Sequence, residues 1–413
     1  MQPLSIAICG CGPAGLAAAL VLGRLGHRIV LIERFDEPRP LGSGLLLQPG
    51  GLQVLEALGL GPGIRKLGVP VRRLLGVTVP SGRTALDVRY GSIAPDAHAL
   101  GIHRAALFGT LFEAVKATSA DIETRFEVAG IDPAANGRPV VVGASGRRLG
   151  PFDLAIDALG SRSVIAEGLF GPRLHRPLAW GALWATVPWP ATGFDGDTLE
   201  QRYVRARRMI GVLPTGRRGP EGAPEAAFFW SLKAAEFDRW RMAGLAAWKA
   251  EVRTIWPETE PLLAALADPG QLTFAGYGQH TLALPIANRI AIIGDAAHAT
   301  SPQLGQGANM GLLDAAALGE AFAGGSDPDT ALLNYARSRR WHIRLYQMLG
   351  AVATPFYQSD SVLLPALRDR GFATLSALPG GRRQLAALVA GLWLNRRPTR
   401  RRNRSTPLTY LSD

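Results

Sequence analysis

The stretch Gly10-Cys11-Gly12-Pro13-Ala14-Gly15 decides how this 413-residue chain is read. Before it, Leu4-Ser5-Ile6-Ala7-Ile8-Cys9 has the length and branching of a buried strand. After it, Leu16 to Leu25 is an alanine- and leucine-rich helix with no polar residue before Arg24. Gly26-His27 marks the end of that helix, and Arg28-Ile29-Val30-Leu31-Ile32 is a second strand finishing at Glu33. The result is a complete βαβ unit. Gly10 makes the tight turn, Gly12 admits a pyrophosphate to the backbone, and Gly15 lets helix and strand touch. Glu33 stands where an acid hydrogen-bonds ribose hydroxyls. A lone G-x-G-x-x-G is a weak signal, but framed by strand and helix, with the acid at this spacing, it marks a dinucleotide turn.

A second bend lies far along the chain. The apolar run Ile290-Ala291-Ile292-Ile293 leads into Gly294-Asp295-Ala296-Ala297-His298, then Pro302, then the glycine-rich turn Gly305-Gln306-Gly307-Ala308-Asn309. Met310 to Glu320 follows as a small-residue helix. This pattern is a strand ending in a ligand-facing turn, followed by a helix whose free N–H groups can hold an electron-rich oxygen.

Composition narrows the class. The length suits two domains sharing a sizeable core, and 47% hydrophobic with 19% charged residues is ordinary for a soluble globular enzyme. The net charge of +12 favours anions, yet much of it sits in Arg396-Arg397-Pro398-Thr399-Arg400-Arg401-Arg402-Asn403-Arg404, so it says little about an active site. The two cysteines, Cys9 and Cys11, suit neither a disulfide framework nor a zinc site, and no metal is expected. The apolar N-terminus lacks a basic leader region and is interrupted by glycines where a cofactor turn needs them. A cytoplasmic location is expected.

Between the bends, Gly50–Leu58 and the segment from His103 to Phe112, with Arg104 near its start, read as helices. Pro80-Ser81-Gly82 and Asn136-Gly137 mark hairpins. Phe152 to Asp157 is a strand running into Leu159-Gly160. From Pro177 to Thr273 aromatic residues are scattered through strand-like runs, which predicts a mostly antiparallel sheet carrying a ligand surface. The fold class is α/β: a Rossmann-like domain, an inserted β-sheet domain and a C-terminal helical segment. Residues 1–70, 98–176 and 274–345 form the first, 71–97 and 177–273 the second, and 346–413 the last together with the basic tail.

These residues together resemble the class A FAD-dependent aromatic hydroxylases, typified by para-hydroxybenzoate hydroxylase, over most of Pro3 to about Leu349. The resemblance implies that Gly10, Gly12, Pro13, Ala14 and Gly15 hold the FAD pyrophosphate. Glu33, followed by Arg34, would take the adenosine ribose, and Arg104 would lie near the pyrophosphate and ribityl chain. Asp295 would bind ribityl hydroxyls, and Gly305, Gly307, Ala308 and Asn309 would face the pyrimidine edge of the flavin. Pro302 would stand beside the flavin face where oxygen reacts, the one position given a catalytic role. The implied activity is hydroxylation of an aromatic or conjugated small molecule with NADH or NADPH and O2 through a flavin C4a-hydroperoxide. The family's middle motif carries an Asp-Gly pair where this chain has Leu159-Gly160. Either Asp157 substitutes by a local shift, or nicotinamide handling is altered, in the extreme case to flavin reduced elsewhere.

Tyr203 and Trp230, with Trp184 behind them, are the expected substrate contacts; packing in the core is the competing reading for each. The alternatives to hydroxylation are an oxidoreductase of the same fold without oxygen insertion and a flavin-binding protein without turnover. The run Leu385–Leu394 with its arginine tail reads either as a terminal helix with a basic tail or as a membrane-surface anchor for a lipophilic substrate. No motif supports nucleic-acid binding, and either a monomer or a homodimer suits the architecture.

Overall fold

The computed structural model describes residues 2–37, 43–171, 176–325, 327–377 and 380–394. Its first sheet grows from the βαβ unit. The fully buried strand Ser5–Cys9 pairs in parallel with Arg28–Ile32 on one side and Leu154–Asp157 on the other. Asp121–Glu123 extends one edge; Ile290–Ile292 and the short antiparallel Ile286–Ala287 extend the other. Ile6 and Ile8 enter one core while Ala7 and Cys9 enter another. A sheet covered on both faces needs unbroken apolar runs, which is why its strands show no alternation.

The second sheet runs in the order Thr273–Gln279, Arg176–Pro188, Glu225–Lys233, Arg208–Gly216, Thr198–Val204, Arg73–Thr78, Thr84–Arg89. Only the pair Thr198–Val204 with Arg73–Thr78 is parallel. Two expected boundaries move. Thr273–Gln279 pairs with Arg176–Pro188, Thr273 opposite Trp184, so it belongs to this sheet and not to the dinucleotide unit. The division at 345/346 falls inside Pro328–Tyr357, one continuous helix. Composition changes at neither place; hydrogen bonding decides both.

Alternation gives this sheet two chemically distinct faces. Leu183, Ile210, Phe228 and Trp230 pack beneath the helix Phe237–Ile255 through Trp248 and Val252. On the other face, Tyr203, Met209 and Phe229 meet Phe356 and Tyr357, while Leu213 and Ala227 meet Ala386, Val389 and Ala390. The apolar side of Gly381–Val389 is therefore buried within the protein, which removes it as a membrane anchor. The arginine-rich tail lies outside the described residues. Among those described, no helix is long and apolar enough to cross a membrane.

Candidate functional site

The two glycine bends meet. Gly10 has φ +109°, and a Cβ there would stand 2.5 Å from the Ala158 carbonyl oxygen; a Cβ on Gly15 would stand 2.0 Å from that of Gly10. Gly294 adopts φ 59° and ψ −144°, a region closed to other residues. A Cβ on Gly294 would lie 3.2 Å from the Cβ of Ala14, and one on Gly311 2.9 Å from that same atom. The helices Pro13–Arg24 and Gly307–Ala323 thus cross on small residues directly behind both turns. Bulk at Ala14, Gly294 or Gly311 would push the bends apart.

Around this crossing the expected cofactor residues take definite places. Gly12 precedes the helix opened by Pro13, and a Cβ on it would meet nothing within 4 Å. Glu33 is held at the mouth of the turn: its Oε2 accepts from the Cys11 N–H at 3.0 Å and its Oε1 from the Arg34 N–H at 2.8 Å. Arg34 is exposed, its guanidinium 4.7 Å from the Phe35 ring. Arg104 opens the helix Arg104–Lys116, and its N–H donates to the Ser43 carbonyl. Asp295 is exposed at the carboxyl end of the first sheet, where α/β folds bind ligands. Its Oδ1 lies 3.7 Å from where a Cβ on Gly307 would stand.

Pro302 opens the single turn Pro302–Leu304, which Gly305 closes in the left-handed conformation at φ 60°. Gly307 and Ala308 begin the following helix, whose N-terminus has no side-chain cap. The Asn309 side chain is engaged within the protein. Its Oδ1 accepts from the Gln48 N–H at 2.8 Å, and its Nδ2 donates to the carbonyls of Leu46 and Gly305. That amide ties the turn to the strand Gly44–Leu47, leaving backbone to face a ligand.

Two features escape a reading of the sequence. Asp314, fully buried in the helix after the turn, accepts from the Gly294 N–H at 2.9 Å, from His298 Nε2 and from Arg339 Nε at 2.7 Å. Burial alone would raise its pKa, but His298 and Arg339 outweigh burial and hold it at about 2. Arg339 Nη1 in turn donates to His342 Nδ1, so His342 Nε2 carries the proton that it gives to the Gly391 carbonyl. Burial and the Arg339 charge pull His342 down to about 3. His298 is thus part of a structural network. An aspartate inside the otherwise apolar run from Met310 to Gly319 is the one clue to it in the sequence.

The second feature is Gln48. Tyr90 Oη donates to Gln48 Oε1 at 2.7 Å, which fixes the amide orientation. Nε2 then lies 3.5 Å from the Cβ position of Gly305. Gln48 is 1% exposed, and Nε2 has no hydrogen-bond partner among the described residues. A buried donor left this way favours a ligand oxygen. No sequence signal distinguishes Gln48 from other glutamines.

The residues fit FAD on these observations: the open Gly12, two uncapped helix N-termini behind one crossing, and the exposed Asp295. The middle motif fits less closely. Asp157 is fully buried, accepting from the Leu159 N–H at 3.0 Å and from Ser163 Oγ at 2.5 Å. Burial raises it to about 6 against those two hydrogen bonds. Through Ser163, which caps it, Asp157 supports the start of the helix Val164–Phe170.

The aromatic expectations divide. Trp230 is a correction: it lies beneath the helix Phe237–Ile255, edge-on to Trp248 at 6.1 Å, because its register places it on the rear face. Tyr203 is on the front face but only 1% exposed. Its hydroxyl donates to Gln201 Oε1, its ring meets Tyr357 edge-on, and the Arg368 guanidinium lies 4.6 Å above it. It is packed between the sheet and the C-terminal helices. Trp184 is half-buried on the same face, Nε1 donating to Tyr277 Oη at 3.0 Å.

A model of the FAD binding domain family matches residues 4–347. The chain belongs to that family, and within it to the class A flavoprotein hydroxylases: it is an FAD-binding enzyme of the monooxygenase kind. It is 26% identical over 377 residues to 3-hydroxybenzoate 6-hydroxylase 1 of Aquipseudomonas alcaligenes, covering 85% of this chain and 89% of that one. It is 27% identical over 411 residues to kynurenine 3-monooxygenase of Salinispora tropica, covering 94% and 86%. The fold is shared with Klebsiella pneumoniae HpxO in complex with FAD and uric acid, at a TM-score of 0.78 and 20% identity, covering 95% and 97%.

Proposed function

We propose that this enzyme uses NADH or NADPH and O2 to hydroxylate an aromatic or conjugated small molecule. The observation that carries this reading is the crossing at Ala14, Gly294 and Gly311, which joins two turns some 280 residues apart into one cleft. Bound FAD would supply the hydride acceptance and oxygen activation that side chains lack. The protein's share is placement and exclusion of water. Glu33 and Asp295 would take hydroxyls, Arg34 and Arg104 would neutralise phosphate charge, and the N–H groups from Gly305 to Asn309 would stabilise negative charge at the flavin edge. Pro302 would shape the oxygen-facing side, and Trp184 would border the substrate, with Tyr203 behind it. The curated relatives named above bear the names of hydroxylases of small aromatic compounds, which supports that substrate class.

Leu159, with Asp157 buried behind it, favours a second reading in which flavin reduced by another protein replaces nicotinamide. The test is bleaching of the purified yellow enzyme by NADH, NADPH or reduced free flavin, screened against phenols, aromatic acids and quinolones with peroxide and labelled O2 followed. Substrate-stimulated turnover with label in the product is expected; a product without label would refute hydroxylation. Asp295→Ala should purify colourless, and full retention of FAD would remove Asp295 from the site.

A further inference from the structure

One face of the long helix Pro328–Tyr357 remains uncovered. Trp341, Met348 and Val352 are 58%, 56% and 59% exposed, and the half-buried Leu345 lies between them at helical spacing. Isolated exposed apolar residues need no explanation, but a ridge along three turns does. The guanidinium carbons of Arg340 and Arg344 lie 5.3 and 5.5 Å from the Trp341 ring, and Arg337 is exposed one turn earlier. No acidic residue occurs between Thr330 and Tyr357.

Trp393 stands beside this ridge. Leu345 and Trp393 pack in one cluster with Met310, Ile343 and Tyr346, and the Trp393 N–H reaches Tyr346 Oη at 3.4 Å. Leu394 is 55% exposed, and six arginines follow between Arg396 and Arg404. An apolar ridge bearing tryptophan and flanked by arginines has the chemistry of a surface that sits among acidic lipid headgroups.

We propose that this face docks on an anionic membrane surface, with Trp341, Met348 and Val352 entering the headgroup boundary and the arginines pairing with lipid phosphates. Charge complementarity selects this occupant. A second copy of the chain would set the same arginines against each other, and a nucleic acid would offer the ridge no apolar partner. The protein would lie on the bilayer, not span it.

The test is flotation of the full-length FAD-loaded protein with two kinds of vesicle: phosphatidylcholine alone, and phosphatidylcholine with about one-third phosphatidylglycerol. Binding is expected only to the second and should fall at least tenfold between about 0.1 and about 0.5 M salt. Trp341→Ser with Met348→Ser and Val352→Ser should weaken it about tenfold, with the flavin spectrum unchanged. Arg337→Gln with Arg340→Gln and Arg344→Gln should remove most of the salt-sensitive part. Equal binding to both vesicles, or anionic binding that ignores the ridge substitutions, overturns the proposal. So does ridge-dependent dimerisation in light scattering without vesicle binding, or ridge-independent capture by oligonucleotides that vesicles do not displace.

Discussion

The two flanks of the Gly305 turn are built on opposite principles. Behind it, Asp314, His298, Arg339 and His342 form a buried network in which the carboxylate accepts three hydrogen bonds and the last histidine ends on a backbone carbonyl. In front of it, Gln48 Nε2, 3.5 Å from the Cβ position of Gly305, is buried with no hydrogen-bond partner among the described residues. A saturated network has nothing left to offer a ligand and fixes geometry; unsaturated amides hold geometry poorly and keep their bonding capacity for something else. The rear flank therefore holds the Gly294 bend in place, and the front flank is where discrimination between ligands belongs.

Breaking the rear flank should have the largest effect. Asp314→Ala leaves Arg339 buried without its carboxylate and should destabilise the fold by about 3–5 kcal/mol, read as a lower melting temperature with loss of FAD. A melting curve like that of the wild type would show that the network does not support the bend.

Acid tests the same flank more gently. His342, held at about 3 in the fold, ionises near pH 6.5 when unfolded, so its contribution is complete above pH 6.5 and is lost as pH falls towards 3. Asp314, held at about 2, adds a loss only below about pH 4. The melting temperature should therefore decline from about pH 6.5 downward, and His342→Asn should flatten part of that slope above pH 4. An unchanged slope would place the titration at other histidines, such as the buried His27 and His103.

The front flank should respond least in stability and most in selectivity. Gln48→Leu made together with Tyr90→Phe, so that no buried hydroxyl is left without its acceptor, should keep FAD and the melting temperature yet weaken ring ligands carrying an oxygen acceptor by about tenfold, roughly one hydrogen bond. Flavin absorbance titrations with 4-quinolone and quinoline provide the comparison. Equal losses for both would sever Gln48 from oxygen recognition, and a displaced flavin spectrum without ligand would assign its donor to the cofactor.

Residue types alone make much of this fold legible. The glycine turn with Glu33, the strand leading to Asp295 and both hairpins depend on local backbone demands, and such demands leave marks in residue type. Trp230 and Tyr203 are harder to place, because aromatic character does not reveal which sheet face a strand residue occupies; one step of register sends Phe229 forward and Trp230 back. Gln48 and Asp314 carry almost no mark at all, since their significance lies in partners 42 and 25 residues away in Tyr90 and Arg339.

The sequence by itself determined the dinucleotide unit, the second bend and the family to which they belong, because glycine conformations and apolar runs are properties of short segments. Only the tertiary structure decided that Ala14, Gly294 and Gly311 touch, that Asp157 is buried behind Leu159, and which polar atoms are satisfied. Those outcomes depend on long-range packing and solvent exclusion, which no short segment encodes.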